Sequence, residues 1–354
     1  MSTSPTTLVS DSRPPQRRSR PAPILSIRKL STAFPGAAGP LVLVDDISLD
    51  VGPGETLAVV GESGSGKTMT FLSAIGLLPS YGRIIAGQVI LDGHDLVGLD
   101  DESIRRLRGT TIAMVFQDPL SGLNPVFTVG EQLIEVIRAH VPLSRREAKA
   151  RAIGLLERVR IPDPSRRVND YPHQFSGGMR QRILIAMAIA LQPKVLIADE
   201  PTTALDVTVQ AEILDLLSEL QDETGMLVLI THDLGIVARH ADHVAVMYAG
   251  RVVEEGAIDS VFSTTSHPYT VSLFRSIPHL EASVDAPLTP IEGQPPQAGS
   301  RRPGCAFELR CFLSAGRADC RTVRPALLSA FSPGQSSACH HWGELGAASA
   351  RQIT

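Results

Sequence analysis

The sequence predicts an α/β protein built on a buried sheet of parallel type, and three observations carry that prediction. Short β-rich apolar runs recur at Thr56 to Val60, Thr111 to Phe116, Val195 to Ala198 and Met226 to Thr231, with helix-compatible segments between them. Such alternation lays strands side by side in one direction. The last three runs end in polar residues, at Gln117, at Asp199-Glu200 and at His232-Asp233, where open α/β sheets place their ligands. Finally, Gly61-Glu62-Ser63-Gly64-Ser65-Gly66-Lys67-Thr68 lies between the first run and an apolar, helix-compatible segment from Met69 to Leu78. It reads G-x-x-x-x-G-K-[ST] in the strand–loop–helix setting that a phosphate-binding loop requires.

Composition bounds the rest. The chain has 354 residues, enough for one large domain or two, and 43% hydrophobic residues against 4% aromatic ones, so its core is mostly aliphatic. A net charge of −4 gives no bulk electrostatic reason to expect a nucleic-acid partner. No apolar run is long enough to cross a bilayer, and the arginines near the N-terminus precede no signal-like stretch. The protein is therefore expected in the cytosol, docked on a membrane partner if on any. Its four cysteines all lie near the C-terminus, which in a reducing compartment favours a metal over disulfides.

Taken in order, residues 1 to 22 are rich in Ser, Thr, Pro and Arg and read as a disordered tail. Ile24 to Leu30 and Leu41 to Val51 read as strands, with Phe34 in the loop between them, where an aromatic face can stack on a base or fill the core. Gln88 to Leu91 is a strand entering a turn at Asp92-Gly93. Residues 128 to about 165 read as an inserted helical block, with a capping box at Ser144-Arg145-Arg146-Glu147 and apolar residues at helical spacing after it. Ser176-Gly177-Gly178 then opens an apolar helix and forms a second anion-ready helix start. One nucleotide does not need two such sites, so the second is expected to serve the nucleotide of another copy.

At the strand ends, Lys67 is placed for the β- and γ-phosphates, and Thr68 and Asp199 for Mg²⁺. Glu200 is placed to polarise the attacking water, and His232 to reach the γ-phosphate. A helix follows from Val207 to Glu223, and Val244 to Tyr248 and Arg251 to Glu254 form a hairpin around Ala249-Gly250.

These motifs, in this order, resemble the ATP-binding cassette (ABC) proteins from about Ile24 to Leu280. Gly61 to Thr68 looks like the Walker A motif, Gln117 like the Q-loop glutamine, and Phe175 to Met179 like the signature motif. Val195 to Glu200 looks like Walker B with the catalytic glutamate, Ala204-Leu205-Asp206 like the D-loop, and His232 like the switch histidine. Phe34 stands where the family often has a tyrosine. The signature departs from LSGGQ at Phe175 and Met179, with Ser176, Gly177 and Gly178 intact. His267-Pro268-Tyr269-Thr270, the Cys-rich segment and Leu123-Asn124-Pro125 are similar to the ATPase subunits of bacterial oligopeptide and dipeptide importers. Nickel importers share much of this sequence.

The resemblance implies a P-loop NTPase of the ABC ATPase fold, with an antiparallel β subdomain, an inserted helical subdomain and a small Cys-rich C-terminal extension. The corresponding bounds are a tail at 1–22, an ATPase domain at 23–265 with a helical subdomain at about 128–175, a C-terminal domain at 266–345 and a tail at 346–354. Two ATPase chains, here a heterodimer of related chains, meet head to tail on two integral membrane permeases at the cytoplasmic face. An extracytoplasmic solute-binding protein delivers cargo. ATP and Mg²⁺ are held by Gly61 to Thr68, Asp199 and Gln117, with Phe34, and by the partner-facing Ser176, Gly177, Gly178 and Asp206. Glu200, His232 and Gln117 act in hydrolysis.

Cys305, Cys311, Cys320 and Cys339 lack the paired C-x2-C of common zinc modules and the compact ferredoxin run. A [4Fe–4S] cluster, zinc and free thiols are the open alternatives, and the resemblance favours the cluster. A soluble ABC protein of repair or translation, or a simple P-loop kinase, is the rival reading. The first usually carries two cassettes or a coiled-coil insertion, and the second has no use for the helix start at Ser176.

Overall fold

The computed structural model describes residues 22–37, 39–118, 122–203, 205–276, 290–297, 299 and 302–345. All but the last residue of the expected tail at 1–22, the expected tail at 346–354 and Ala204 of the D-loop-like motif lie outside them.

The chain opens with β1 (Leu25–Phe34), β2 (Leu41–Val51) and β3 (Glu55–Val60), and then α1 (Lys67–Ala74). Next come β4 (Arg83–Leu91), β5 (His94–Asp95), α2 (Asp101–Leu107) and β6 (Ile112–Val115). A helical block follows: α3 (Val129–His140), α4 (Arg145–Arg158), the short α5 (Pro164–Arg167) and α6 (Gly177–Ile189). Then β7 (Val195–Asp199), α7 (Val207–Thr224), β8 (Met226–Thr231) and α8 (Leu234–His240) lead to the hairpin of β9 (His243–Tyr248) and β10 (Arg251–Ala257). Then come α9 (Ile258–Ser263), α10 (Pro268–Arg275), α11 (Ala318–Thr322), β11 (Leu328–Ser329) and β12 (Ser336–Ser337), followed by a single 3-10 turn at Trp342–Glu344.

Two sheets result. A four-stranded antiparallel sheet runs β2-β1-β4-β5. The larger sheet runs β11-β12-β10-β9-β3-β8-β7-β6, with β9, β3, β8, β7 and β6 parallel. Strand side chains alternate between faces, and the core follows that alternation. Leu196, Ala198, Leu227 and Leu229 face a cluster built with α3, α4, α6 and α7. Val195, Ile197, Met226, Val228 and Ile230 face α1 and the antiparallel sheet. At β3 and β9 the outer face, Ala58, Val60, Val244 and Val246, packs on α8 and the C-terminal region. Phe71 of α1 is fully buried in the second cluster, where truncation to alanine costs about 3–5 kcal/mol.

The local signals are realised as the chemistry predicts. Ser144 and Glu147 form the capping box of α4, and Thr128 and Glu131 form a second one on α3. The turns at Asp92-Gly93 and Ala249-Gly250 use positive φ at both positions, 50° and 82°, and 49° and 80°, as two-residue hairpins do. One placement differs. Phe34 is not in a loop but ends β1, paired with Leu41. The stretch from Ser31 to Ala33 is small or polar and shifts register against both neighbours, so no apolar alternation marks the strand's second half. The Phe34 ring lies against Gly82, where a Cβ would stand 2.7 Å from it.

Candidate nucleotide site and cysteine cluster

The loop from Gly61 to Gly66 links β3 to α1, with its tip at Ser63 and Gly64 exposed and Gly61 and Ser65 buried. A Cβ at Gly61 would sit 2.2 Å from the Met247 carbonyl oxygen on β9, so only glycine fits there. The buried Lys67 ammonium donates to the carbonyl oxygens of Gly61 (2.7 Å) and Glu62 (3.1 Å). Burial holds its pKa below the usual lysine value, against the pull of Glu200, Asp199 and Glu62. Ser65 Oγ is buried without a hydrogen-bond partner among the described residues. An orphaned hydroxyl and an ammonium within one loop of main-chain amides suit a phosphate chain.

The Thr68 hydroxyl donates to Asp199 Oδ1 at 3.1 Å. Burial pushes the Asp199 carboxyl up to about 6, opposed by that hydrogen bond. Two hard oxygens meeting beside the loop, one on a carboxylate whose charge is poorly solvated, fit Mg²⁺.

Glu200 follows β7 with a left-handed backbone, φ 44°, a conformation that costs about 1–3 kcal/mol away from glycine. Its carboxylate collects three neighbours. Gln117 Nε2 donates to Oε2 at 2.9 Å, Thr203 Oγ1 donates to the same oxygen at 2.9 Å, and His232 Nδ1 stands 3.5 Å from Oε1. Gln117, Glu200 and His232 follow β6, β7 and β8, three adjacent parallel strands. The sheet thus places all three at its carboxyl edge.

Ser176, Gly177 and Gly178 are not brought to this site. They open α6, which packs with α7 on one face of the sheet, whereas α1 packs on the other. Ser176 Oγ caps α6 by accepting from the Met179 amide at 3.4 Å. Gly177 is exposed, with Leu205 the nearest neighbour of an added Cβ at 3.6 Å. Gly178 has a packing role within the chain, since a Cβ there would stand 2.4 Å from Val209 Cγ1 on α7. Asp206 caps α7, accepting from the Val209 amide at 3.0 Å.

The four cysteines are brought together. Cys305, Cys311, Cys320 and Cys339 line one small cavity with His340 and His341, and none is in a disulfide. The Cys305 amide donates to the Cys320 carbonyl at 2.8 Å, tying two of the bearing segments. Burial pushes the Cys305 thiol up to about 11 and Cys339 up to about 12, and raises Cys311 and Cys320 as well. Such thiols ionise only against a compensating cation. A tetrahedral zinc with Zn–S near 2.3 Å would hold sulfurs about 3.8 Å apart. Among the described residues, the one trio of ligand atoms mutually within 4.8 Å is Asp319, Cys320 and His341, which includes a single cysteine. The four thiols share the cavity without closing to the spacing of a mononuclear zinc site.

Two regions of the chain match known families. The family model described as ABC transporter matches residues 44–203, and that described as oligopeptide/dipeptide transporter, C-terminal region, matches residues 253–318. A Brucella melitensis protein named as a peptide import ATP-binding protein is 48% identical over 337 residues, spanning 92% of this chain and 99% of its own. The chain belongs to the ABC transporter ATP-binding proteins. A similarly named Brucella abortus protein is 49% identical over 319 residues, spanning 90% of this chain and 95% of its own. Among solved structures, a dimeric ATP-binding cassette in a post-hydrolysis state bound to ADP and Pi superposes with TM-score 0.60 at 26% identity, covering 66% of this chain and 98% of that one. CbiO1 from Clostridium perfringens, part of the ABC transporter complex cbiONQ, gives 0.58 at 28% identity, covering 68% and 91%. The chain is thus an ABC ATPase, hydrolysing ATP in a transport system. No helix among its described residues is long and apolar enough to cross a membrane.

Sequence reasoning on this ABC ATPase missed Thr203, whose hydroxyl shares Glu200 with Gln117, and the C-terminal residues Tyr269 and Arg310 that touch Glu62. Thr203 follows Glu200 closely enough to have been considered. Nothing in the spacing of the other two marks them.

Proposed function

We propose that this ABC ATPase energises the import of oligopeptides or dipeptides. It works at the cytoplasmic face of a membrane, paired with a second, related ATPase chain on two integral permeases served by an extracytoplasmic solute-binding protein. The convergence of Gln117, Thr203 and His232 on Glu200 carries the catalytic part. The match of residues 253–318 to the oligopeptide/dipeptide C-terminal region, and the names of the relatives, support peptides as cargo.

On this reading residues 23–265 form the ATPase domain, with the helical subdomain at about 128–175, and residues 266–345 form the C-terminal domain. The amides of Gly61, Glu62, Ser63, Gly64, Ser65 and Gly66 bind the phosphates, Lys67 neutralises them, and Phe34 borders the base. Thr68, Asp199 and Gln117 would hold Mg²⁺, which when bound neutralises phosphate charge. Glu200 takes the proton of the attacking water, held in position by Thr203, Gln117 and His232. Ser176, Gly177, Gly178 and Asp206 serve the nucleotide of the partner chain. The helix that Ser176 to Gly178 open packs on the face of the sheet opposite α1, which supports that division. Cys305, Cys311, Cys320 and Cys339 would hold a [4Fe–4S] cluster, a structural group for the C-terminal region.

The test is ATPase activity of the purified four-chain complex with its binding protein. Peptide-loaded binding protein should stimulate turnover, and E200Q should keep ATP binding while losing about 10²-fold or more in rate. Stimulation by nickel but not peptide would replace the cargo assignment, and near-normal turnover of E200Q would remove Glu200 from its role. Anaerobic purification should give about four irons and four acid-labile sulfides per chain. Zinc without iron would refute the cluster.

A further inference from the structure

Glu62 is the second residue of the phosphate loop, and two of its three polar groups, the amide and the carboxylate, are held from outside the loop. Its amide donates to the Tyr269 hydroxyl at 2.8 Å. Its carboxylate accepts both arms of the Arg310 guanidinium, Nη1 to Oε2 at 2.7 Å and Nη2 to Oε1 at 2.9 Å. Tyr269 lies on α10 and Arg310 immediately precedes Cys311. On its inner side, the Glu62 carbonyl accepts from the Lys67 ammonium at 3.1 Å and from the Ser65 amide at 3.2 Å. Glu62 is therefore a node: the C-terminal region grips one side and the phosphate-binding lysine leans on the other.

Arg310 is not an ordinary surface ion pair. Its side chain is 4% exposed. It donates further from Nε to the Glu292 carbonyl at 2.9 Å, from Nη1 to the Tyr248 hydroxyl at 3.2 Å and from Nη2 to the Ile291 carbonyl at 3.4 Å. Its guanidinium carbon lies 5.8 Å from the ring centroids of both Tyr248 and Phe307. A buried planar fork held on every side has one orientation, and a bidentate pair transmits that orientation to its carboxylate. Tyr269 is fixed in the same way, by its ring contacts with Tyr248 and Phe307 and by the cap that His267 makes to its amide.

We propose that Arg310 and Tyr269 are positioning residues for the phosphate loop. Through Glu62 they set the seat of Lys67, and so make the Cys-bearing C-terminal region part of what determines ATP affinity. The claim rests on Gly61 to Thr68 being the nucleotide-binding loop. It assigns the pair an effect on nucleotide binding rather than on the chemical step at Glu200, which lies at the ends of other strands.

The test measures binding of a fluorescent ATP analogue to the purified full-length chain, together with KM and kcat in the complex. R310L and E62Q should each weaken ATP binding about tenfold, the effect of losing a charge-assisted pair. The E62Q/R310L double variant should be no weaker than the worse single, because both remove the same contact. Y269F should weaken binding about fivefold. KM should rise in each case with kcat within about twofold, and R310K should recover only part of the loss, because it keeps the charge without the fork. If R310L fails to give a folded chain, E62Q and Y269F decide, since both are nearly isosteric. ATP affinity within about twofold of wild type in E62Q and Y269F, or additive losses in the double variant, would overturn the proposal. K67A separates the two levels: if it binds ATP normally, the loop assignment itself falls, whereas loss of binding in K67A with none in E62Q or Y269F removes only the positioning role.

Discussion

His267 offers a pH dependence that can be worked through from its surroundings. It is 1% exposed and caps α10, its Nδ1 accepting from the Tyr269 amide at 3.1 Å, while its own amide donates to the buried carboxylate of Glu254 at 3.0 Å. Burial drives its pKa from 6.5 down to about 3, opposed by a hydrogen bond to the Ala338 backbone. Between those values the unfolded chain binds a proton that the folded chain refuses. Folding stability is therefore fully present above about pH 6.5 and is lost as pH falls toward 3. The slope is about 1.4 kcal/mol per pH unit, so descending from pH 6.5 to 5 removes about 2 kcal/mol through this one group.

Replacing His267 with Asn keeps an acceptor at the cap and removes the titration. H267N should be less stable than wild type by about 2–4 kcal/mol near neutral pH, having lost ring volume and the Ala338 contact. That deficit should shrink by about 2 kcal/mol by pH 5. Urea unfolding followed by the fluorescence of the single tryptophan, Trp342, measures both at each pH. A deficit that stays constant from pH 7.5 to 5 would show that His267 is not held neutral by the fold, and would refute the reasoning.

Two further outcomes follow from the α6 terminus. G178A should destabilise the isolated chain by about 1–3 kcal/mol, because its methyl group meets Val209 at 2.4 Å and α6 must move off α7; thermal unfolding measures it, and a loss below about 0.5 kcal/mol would mean that the helices adjust freely. G177R projects instead into open surface beside Leu205; it should leave the isolated chain's ATP binding unchanged while impairing hydrolysis in the assembled pair, and lost binding in the isolated chain would contradict a role on the partner's nucleotide.

Much of this protein is written in short segments. Gly61 to Thr68, between an apolar run and a helix, announced a phosphate loop because glycine, lysine and threonine act there through local backbone geometry and their own side chains. The capping box at Ser144 and the turns at Asp92-Gly93 and Ala249-Gly250 were equally readable, since each is settled within four residues or fewer. The apolar runs ending in Gln117, Glu200 and His232 pointed to a buried sheet with a working edge. Only the tertiary structure decided that β6, β7 and β8 are neighbours in that order, which is what places those three side chains on one carboxylate. It also decided that β1 extends to Phe34, that Gly178 is needed by Val209, and that four scattered cysteines share a cavity. The bond from Arg310 to Glu62 spans 248 residues. Periodicity and motif spacing report how a residue relates to its own helix, strand or turn, whereas contacts between distant segments depend on how those elements pack, so pairs such as this one exist only in the folded chain.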